Sequence, residues 1–163
     1  MESKIFKEKK FFNRPSLLIA TCFGLGFFPF APGTIGSIVA TILAWPISFY
    51  LGSLGLFIAS ILVILFGLCA THYYSKSSDT KDSPTIIIDE VGGQWLTLVL
   101  IPPDPIYYLI GFVLFRLLDV TKPWPINVID SRMKGSIGVM LDDIIAGIIS
   151  ALILWNIWIW LDI

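Results

Sequence analysis

Apolar residues in this chain come in long runs separated by short polar islands, and each run predicts an element buried in lipid or in protein. Leu17 to Phe30 is a short, glycine-broken run, too short to cross a hydrocarbon core of about 30 Å, and it reads as a re-entrant or interfacial piece. Ile35 to Leu51 and Leu54 to Thr71 follow, joined by a tight Gly52-Ser53 turn, and predict a transmembrane hairpin. A polar island from His72 to Thr85 carries Lys76, Asp79, Lys81 and Asp82. Ile86 to Ile101 and Ile106 to Leu118 flank the turn Pro102-Pro103-Asp104-Pro105, where three prolines stop any helix. After a second island, Asp119 to Ser136, the chain closes with Ile137 to Leu161, whose end carries the aromatic belt Trp155, Trp158 and Trp160. Backbone polar groups in lipid must be satisfied within helices, so the expected fold is all-α. The pattern predicts a multi-pass membrane bundle of about five spans plus the N-terminal re-entrant or interfacial segment. We expect one domain over residues 1–163, of which 1–16 form a basic cytoplasmic segment.

Composition agrees. Of 163 residues, 56% are hydrophobic and only 14% charged, and the mean hydropathy is +0.83, which excludes disordered, collagen-like and coiled-coil chains. A net charge of -1 argues against nucleic-acid binding, which needs an excess of basic residues to displace counterions from phosphates. Cys22 and Cys69 sit in apolar runs without C-x-x-C spacing, so they read as small buried hydrophobes. The basic start followed by an apolar run resembles a signal peptide, but Pro29 and Pro32 follow without a small-x-small cleavage pattern, and we expect the segment to be retained. With the N-terminus in the cytoplasm and five crossings, all 11 lysines and arginines fall on one side, as the positive-inside rule requires.

The same topology gathers the acids. Asp89 and Glu90 begin a span, Asp119 ends one, and Asp142 and Asp143 lie one to two turns into the last, so all five fall near the cytoplasmic interface. A carboxylate at the edge of a span costs about 2 to 3 kcal/mol, and five of them call for compensation. A divalent cation is the simplest form, and oxygen donors without histidine or thiolate select Mg²⁺. Each group also has a plainer explanation. Asp89-Glu90 would complement a helix dipole, Arg116 and Asp119 share a helix face and would form a structural ion pair, and His72 would be a polar anchor. The adjacent carboxylates Asp142-Asp143 repel each other and gain nothing from a helix start several residues earlier, so they point most directly to function.

Basic residues Arg116, Lys122, Arg132 and Lys134 cluster around the second island, where they would hold a phosphate while metal-bound water attacks it. The glycine-rich run from Gly24 to Ser37, with Gly33, Thr34 and Ser37 at a helix start, offers free amides as an anion cradle.

Four ordered blocks between Gly24 and Ala151 resemble the phosphatidylglycerophosphatase A family. They are Gly26-x-x-Pro29-x-Ala31-Pro32-Gly33-Thr34-x-Gly36-Ser37; Asp82 followed by Ile88-Asp89-Glu90-x-x-Gly93; Phe115-Arg116-x-x-Asp119-x-x-Lys122-Pro123-Trp124-Pro125; and Gly135-x-x-Gly138-Val139-Met140-x-Asp142-Asp143-x-x-Ala146-Gly147. The resemblance implies a Mg²⁺-dependent phosphatase that converts the lipid phosphatidylglycerophosphate to phosphatidylglycerol in bacterial phospholipid synthesis. It would work among membrane lipids, multi-pass in the inner membrane, with its active site facing the cytoplasm. Carried over by position, the family's acidic residues fall on Asp82, Asp89, Glu90, Asp119, Asp142 and Asp143, the metal-ligand set, and its basic ones on Arg116 and Lys122. Ser136 stands where a glycine is usual and Lys134 where a histidine is common. One or two Mg²⁺ ions, a water or an aspartyl nucleophile, and a homo-oligomer are all left open. Two rival classes compete: a CDP-alcohol phosphotransferase-like enzyme, whose compact D-G-x-x-A-R-type helix signature is absent, and a non-catalytic transporter or scaffold, whose acids would lie near mid-membrane.

Overall fold

A computed structural model of the chain describes residues 15–77, 84–133 and 135–161. Within them there are six α-helices, one 3-10 turn and no strand. The helices are α1 (Pro15–Ala20), α2 (Pro32–Ser77), α3 (Ile88–Leu98), α4 (Pro105–Thr121), α5 (Ile126–Arg132) and α6 (Ser136–Leu161), and the 3-10 turn is Leu25–Phe27.

The predicted hairpin is present inside α2. Gly52 breaks that helix with φ 68° and ψ -175°, a left-handed conformation that glycine adopts without a side-chain penalty. Residues placed symmetrically about Gly52 meet the same short helix. A Cβ on Gly36 would lie 3.3 Å from Ile87 and one on Gly67 3.2 Å from Ile88, while the Trp95 indole N–H donates to the Ala40 carbonyl at 2.8 Å and Gly92 faces Ile64. The two arms of α2 therefore run antiparallel, folded back at Gly52.

Two helices have the length and apolar composition to cross a membrane, Pro32–Tyr74 within α2 and Ser136–Leu161. The five-span expectation is not reached on length, because the run Ile86 to Ile101 resolves into α3, whose 11 residues rise about 16 Å, half a hydrocarbon core. Nearly all of α3 is buried by protein, from Ile88 through Leu98, so its apolar character serves an interior rather than lipid. Run Ile106 to Leu118 lies within α4, 17 residues started by Asp104, whose carboxylate accepts from the N–H groups of Ile106 and Tyr107. Leu17 to Phe30 forms α1, a tight turn and the 3-10 turn, too short to cross, and it docks on the approach to α3 through a 2.9 Å bond from Ile87 N–H to the Ala20 carbonyl.

Around α3 the core has two halves. At the Gly52 end, Ala40, Ala44, Leu56, Leu98, Ile101 and Leu154 pack with Trp45 and Tyr108, whose rings meet edge-on at 5.3 Å. At the other end, Ala20, Ile64, Ile86, Ile88 and Met140 pack beneath the polar residues. The outer faces stay apolar and uncovered, with Ile42, Phe49, Leu62, Leu65, Phe66 and Leu152 exposed, as helices bathed in lipid would be. Cys69 lies on such an outer face and Cys22 is half-buried, so the expected pair of buried cysteines is corrected: lipid-facing and protein-facing positions carry the same apolar signal in sequence.

Candidate active site

One end of the bundle collects the first turns of α2, α3 and α6 and the last turn of α4. Asp89 and Glu90 stand in the first turn of α3, Asp119 in the last turn of α4, and Asp142 and Asp143 about two turns into α6. Oxygens of Asp89, Glu90 and Asp143 all lie within 4.8 Å of one another. Asp89 is 7% exposed and Asp143 4%, so two of the three are almost out of solvent.

Glycines make this approach feasible. A Cβ on Gly93 would stand 2.6 Å from the Asp143 carbonyl oxygen, and one on Gly147 would stand 2.5 Å from the Gly93 carbonyl oxygen. Neither space exists for a side chain, so α3 and α6 touch backbone to backbone one turn from the acids. Thr97 stitches the same contact, its hydroxyl reaching the Gly147 carbonyl of α6 at 3.4 Å as well as the Gly93 carbonyl of its own helix at 3.0 Å. Glu90 lies on a third glycine: a Cβ at Gly33 would come 2.1 Å from its Oε1.

Positive charge borders the cluster. Arg116 donates from Nη1 to Asp119 Oδ2 at 2.6 Å and to Ser37 Oγ at 3.5 Å, while Ser37 donates to the Gly33 carbonyl at 2.9 Å. Lys122 takes a left-handed conformation, φ 43°, at the end of α4 and bonds Asp142 Oδ2 at 2.6 Å and Asp130 Oδ1 at 2.5 Å. Burial pulls the Lys122 pKa down, but the bonds to Asp130 and Asp142 outweigh it and hold the ammonium above the usual lysine range. An open cleft of about 570 Å³ is lined by Asp89, Glu90, Asp119, Lys122, Asp142 and Asp143, with Asp130 on its rim.

The sequence-predicted residues therefore divide. Asp89, Glu90 and Asp143 come together; Asp119 lines the same cleft and is paired with Arg116. Asp142 turns to Lys122 instead, because adjacent residues on a helix point about 100° apart and Asp143 already faces the cluster. Gly33 and Ser37 act by position, against Glu90 and Arg116, and Thr34 is half-buried beside them. Arg132 is exposed on α5 and lies outside the cleft lining. Asp82 and Lys134 lie outside the described residues. Asp130 was missed by sequence reasoning; an acid in a polar island carries no signal until its lysine partner is seen.

Chemically, the cluster offers oxygen donors only. Three carboxylates in contact cannot all stay ionised without a proton or a cation between them. Glu90 Oε2 and Asp142 Oδ1 are buried without a hydrogen-bond partner, a cost that a cation would remove.

Residues 18–158 match the family described as Phosphatidylglycerophosphatase A. The phosphatidylglycerophosphatase A of Escherichia coli K12 is 38% identical over 161 residues, covering 94% of this chain and 89% of that protein. Its namesake in Haemophilus influenzae is 32% identical over 148 residues, covering 90% and 91%. A Bacteroides thetaiotaomicron protein, provisionally named a phosphatidylinositol-3-phosphatase, is 35% identical over 151 residues, covering 87% and 94%. No solved structure matches. On a match that spans the bundle and every described residue of the acidic end, the chain belongs to the phosphatidylglycerophosphatase A family.

Proposed function

We propose that this protein is a Mg²⁺-dependent lipid phosphatase that removes the terminal phosphate of phosphatidylglycerophosphate, leaving phosphatidylglycerol. The observation that carries the reading is the meeting of Asp89, Glu90 and Asp143, drawn from two helices into one 4.8 Å cluster with Arg116 and Lys122 at its border. Family membership supports the substrate, since the E. coli and H. influenzae relatives are named for it.

Asp89, Glu90 and Asp143 would hold the ion, with Asp119 adjacent. A bound Mg²⁺ supplies charge for the phosphoryl oxygens and activates a nucleophile. The chain's own residues do the rest. Arg116, fixed by Asp119 and Ser37, presents a guanidinium beside Glu90, where it neutralises charge growing on the phosphoryl group. Lys122 stays protonated through the physiological range and serves the same charge from the opposite rim, with Asp142 and Asp130 setting its position. Asp119 lines the cleft with Asp143 and holds Arg116, so the ion-binding and anion-binding groups share one cleft.

The uncovered apolar faces of α2 and α6 support a place in the bacterial inner membrane, and the charged end supports a site at its cytoplasmic surface. Asp142 and Asp143 lie in the first third of α6 rather than its middle, which disfavours an ion-conducting transporter. The name of the B. thetaiotaomicron relative favours a second substrate, phosphatidylinositol 3-phosphate. Phosphate release from both lipids in detergent, with Mg²⁺ and with EDTA, tests the reading. We expect Mg²⁺-dependent turnover of phosphatidylglycerophosphate; turnover confined to the inositide redirects the substrate, and none from either lipid sinks the proposal.

A further inference from the structure

A second concavity lies beside the acidic cleft, between the N-terminal segment and the first arm of α2, with a volume of about 220 Å³ and no polar atom in its lining. Ile19, Cys22 and Leu25 form one wall, Val39 and Leu43 the other, and Trp95 contributes to the floor. The indole N–H of Trp95 is spent on the Ala40 carbonyl, so the floor presents only ring.

The wall is shaped by an unusual turn. Cys22, Phe23 and Gly24 all have positive φ, at 46°, 57° and 98°, a conformation that the first two, having side chains, adopt only under strain. Thr21 holds the turn: its carbonyl accepts from Gly24 and Gly26 N–H groups and its hydroxyl donates to the Leu17 carbonyl at 2.7 Å. A Cβ on Gly26 would lie 1.9 Å from the Thr85 carbonyl oxygen, so the segment sits flush on the residues that lead into Asp89 and Glu90. The groove is open at its outer edge, where Phe23 is 82% exposed and Leu43 49%, on the side where α2 presents its lipid-facing residues. At its other end Gly36 and Ile88 line it, one turn from Gly33 and two residues from Glu90.

We propose that this groove seats one acyl chain of the lipid substrate, entering from the bilayer past Phe23 and Leu43 while the phosphate reaches the acids beyond Ile88. The assignment rests on the functional reading above. An apolar slot that ends at Ile88, next to Asp89 of the charged site, open to lipid and strictly non-polar, suits a hydrocarbon chain and offers nothing to a headgroup. Chain recognition is thereby separated from phosphate recognition. The first belongs to the N-terminal turn and the first arm of α2, the second to α3, α4 and α6.

Val39→Trp fills the slot, and Val39→Ala widens it. With the full chain in detergent, kcat/KM is measured for phosphatidylglycerophosphate carrying sixteen-carbon chains and for the same headgroup on six-carbon chains. Val39→Trp is expected to lower the long-to-short ratio about tenfold, mainly through KM, since losing burial of about two methylenes has that effect. Val39→Ala, the milder change, is expected to shift the long-chain KM alone. A ratio unchanged in both variants overturns the groove as the chain site, as does equal loss on both lipids. A wild-type protein that hydrolyses neither lipid overturns the functional reading and this assignment together, so the two failures are told apart.

Discussion

The two ends of the bundle are built on opposite terms. At the Gly52 end, Leu56, Leu98, Ile101 and Leu154 are wholly buried, Trp45 and Tyr108 interlock, and Asp104 caps its helix. At the other end, carboxylates from three helices converge, glycines replace side chains at the helix contacts, and Glu90 Oε2, Asp142 Oδ1 and Arg116 Nε are buried without partners. One end is packed mainly by apolar side chains; the other gathers charges that no side chain in the fold fully pairs. The apolar end supplies the stability that lets like charges stay in contact, and the unsatisfied donors and acceptors are what a charged ligand would complete.

That contrast can be broken from either side. The largest effect is expected from Asp89→Asn or Asp143→Asn, which should lower phosphatase turnover about a thousandfold while the folded protein unfolds no earlier in EDTA than wild type, because a like-charge contact has gone. An early-unfolding variant would show that the acids serve the fold instead. Next, Arg116→Lys should cost about a hundredfold in kcat/KM, since a compact ammonium replaces the planar guanidinium whose Nη1 is held by Asp119 and Ser37; an unchanged rate removes Arg116 from the site. At the other end, Leu98→Ala should destabilise by about 2 to 5 kcal/mol in a denaturation assay and leave kcat of the folded fraction near wild type. Mg²⁺ at a hundredfold excess over its dissociation constant should stabilise wild type by about 2.7 kcal/mol and Asp143→Asn by much less, read as a shift in Tm. The smallest change is Asp130→Asn, below about 1 kcal/mol, since its bond to Lys122 is half in solvent. Because the Lys122 pKa is raised, whatever this network adds is fully present below the ordinary lysine pKa of 10.5 and fades only as pH climbs past the folded value, so a neutral-range titration should leave it flat.

Much of this division was legible in the order of residues. The fold-back at Gly52 follows from one break in an apolar run long enough for two arms, and the acidic end follows from carboxylates placed where lipid or protein would otherwise exclude them. Hydropathy failed at α3, because a helix walled in by protein and one bathed in lipid need the same apolar residues; only its 11-residue length separates them. Asp142 and Asp143 line one cleft but face different partners, a division hidden in the sequence because it comes from the rotation between neighbours on a helix. The Gly93 and Gly147 contact was hidden as well: each glycine looks like a weak helix former until the partner backbone is in place.

Gly52 carries one more implication. A Cβ there would meet nothing within 4 Å, and its neighbours from Phe49 to Leu54 are exposed, so the tip of the hairpin does no packing. A chain severed between Gly52 and Ser53 would keep every interhelical contact described above. Two co-expressed fragments should therefore find each other in the bilayer and rebuild a working enzyme, with the covalent link serving delivery more than architecture.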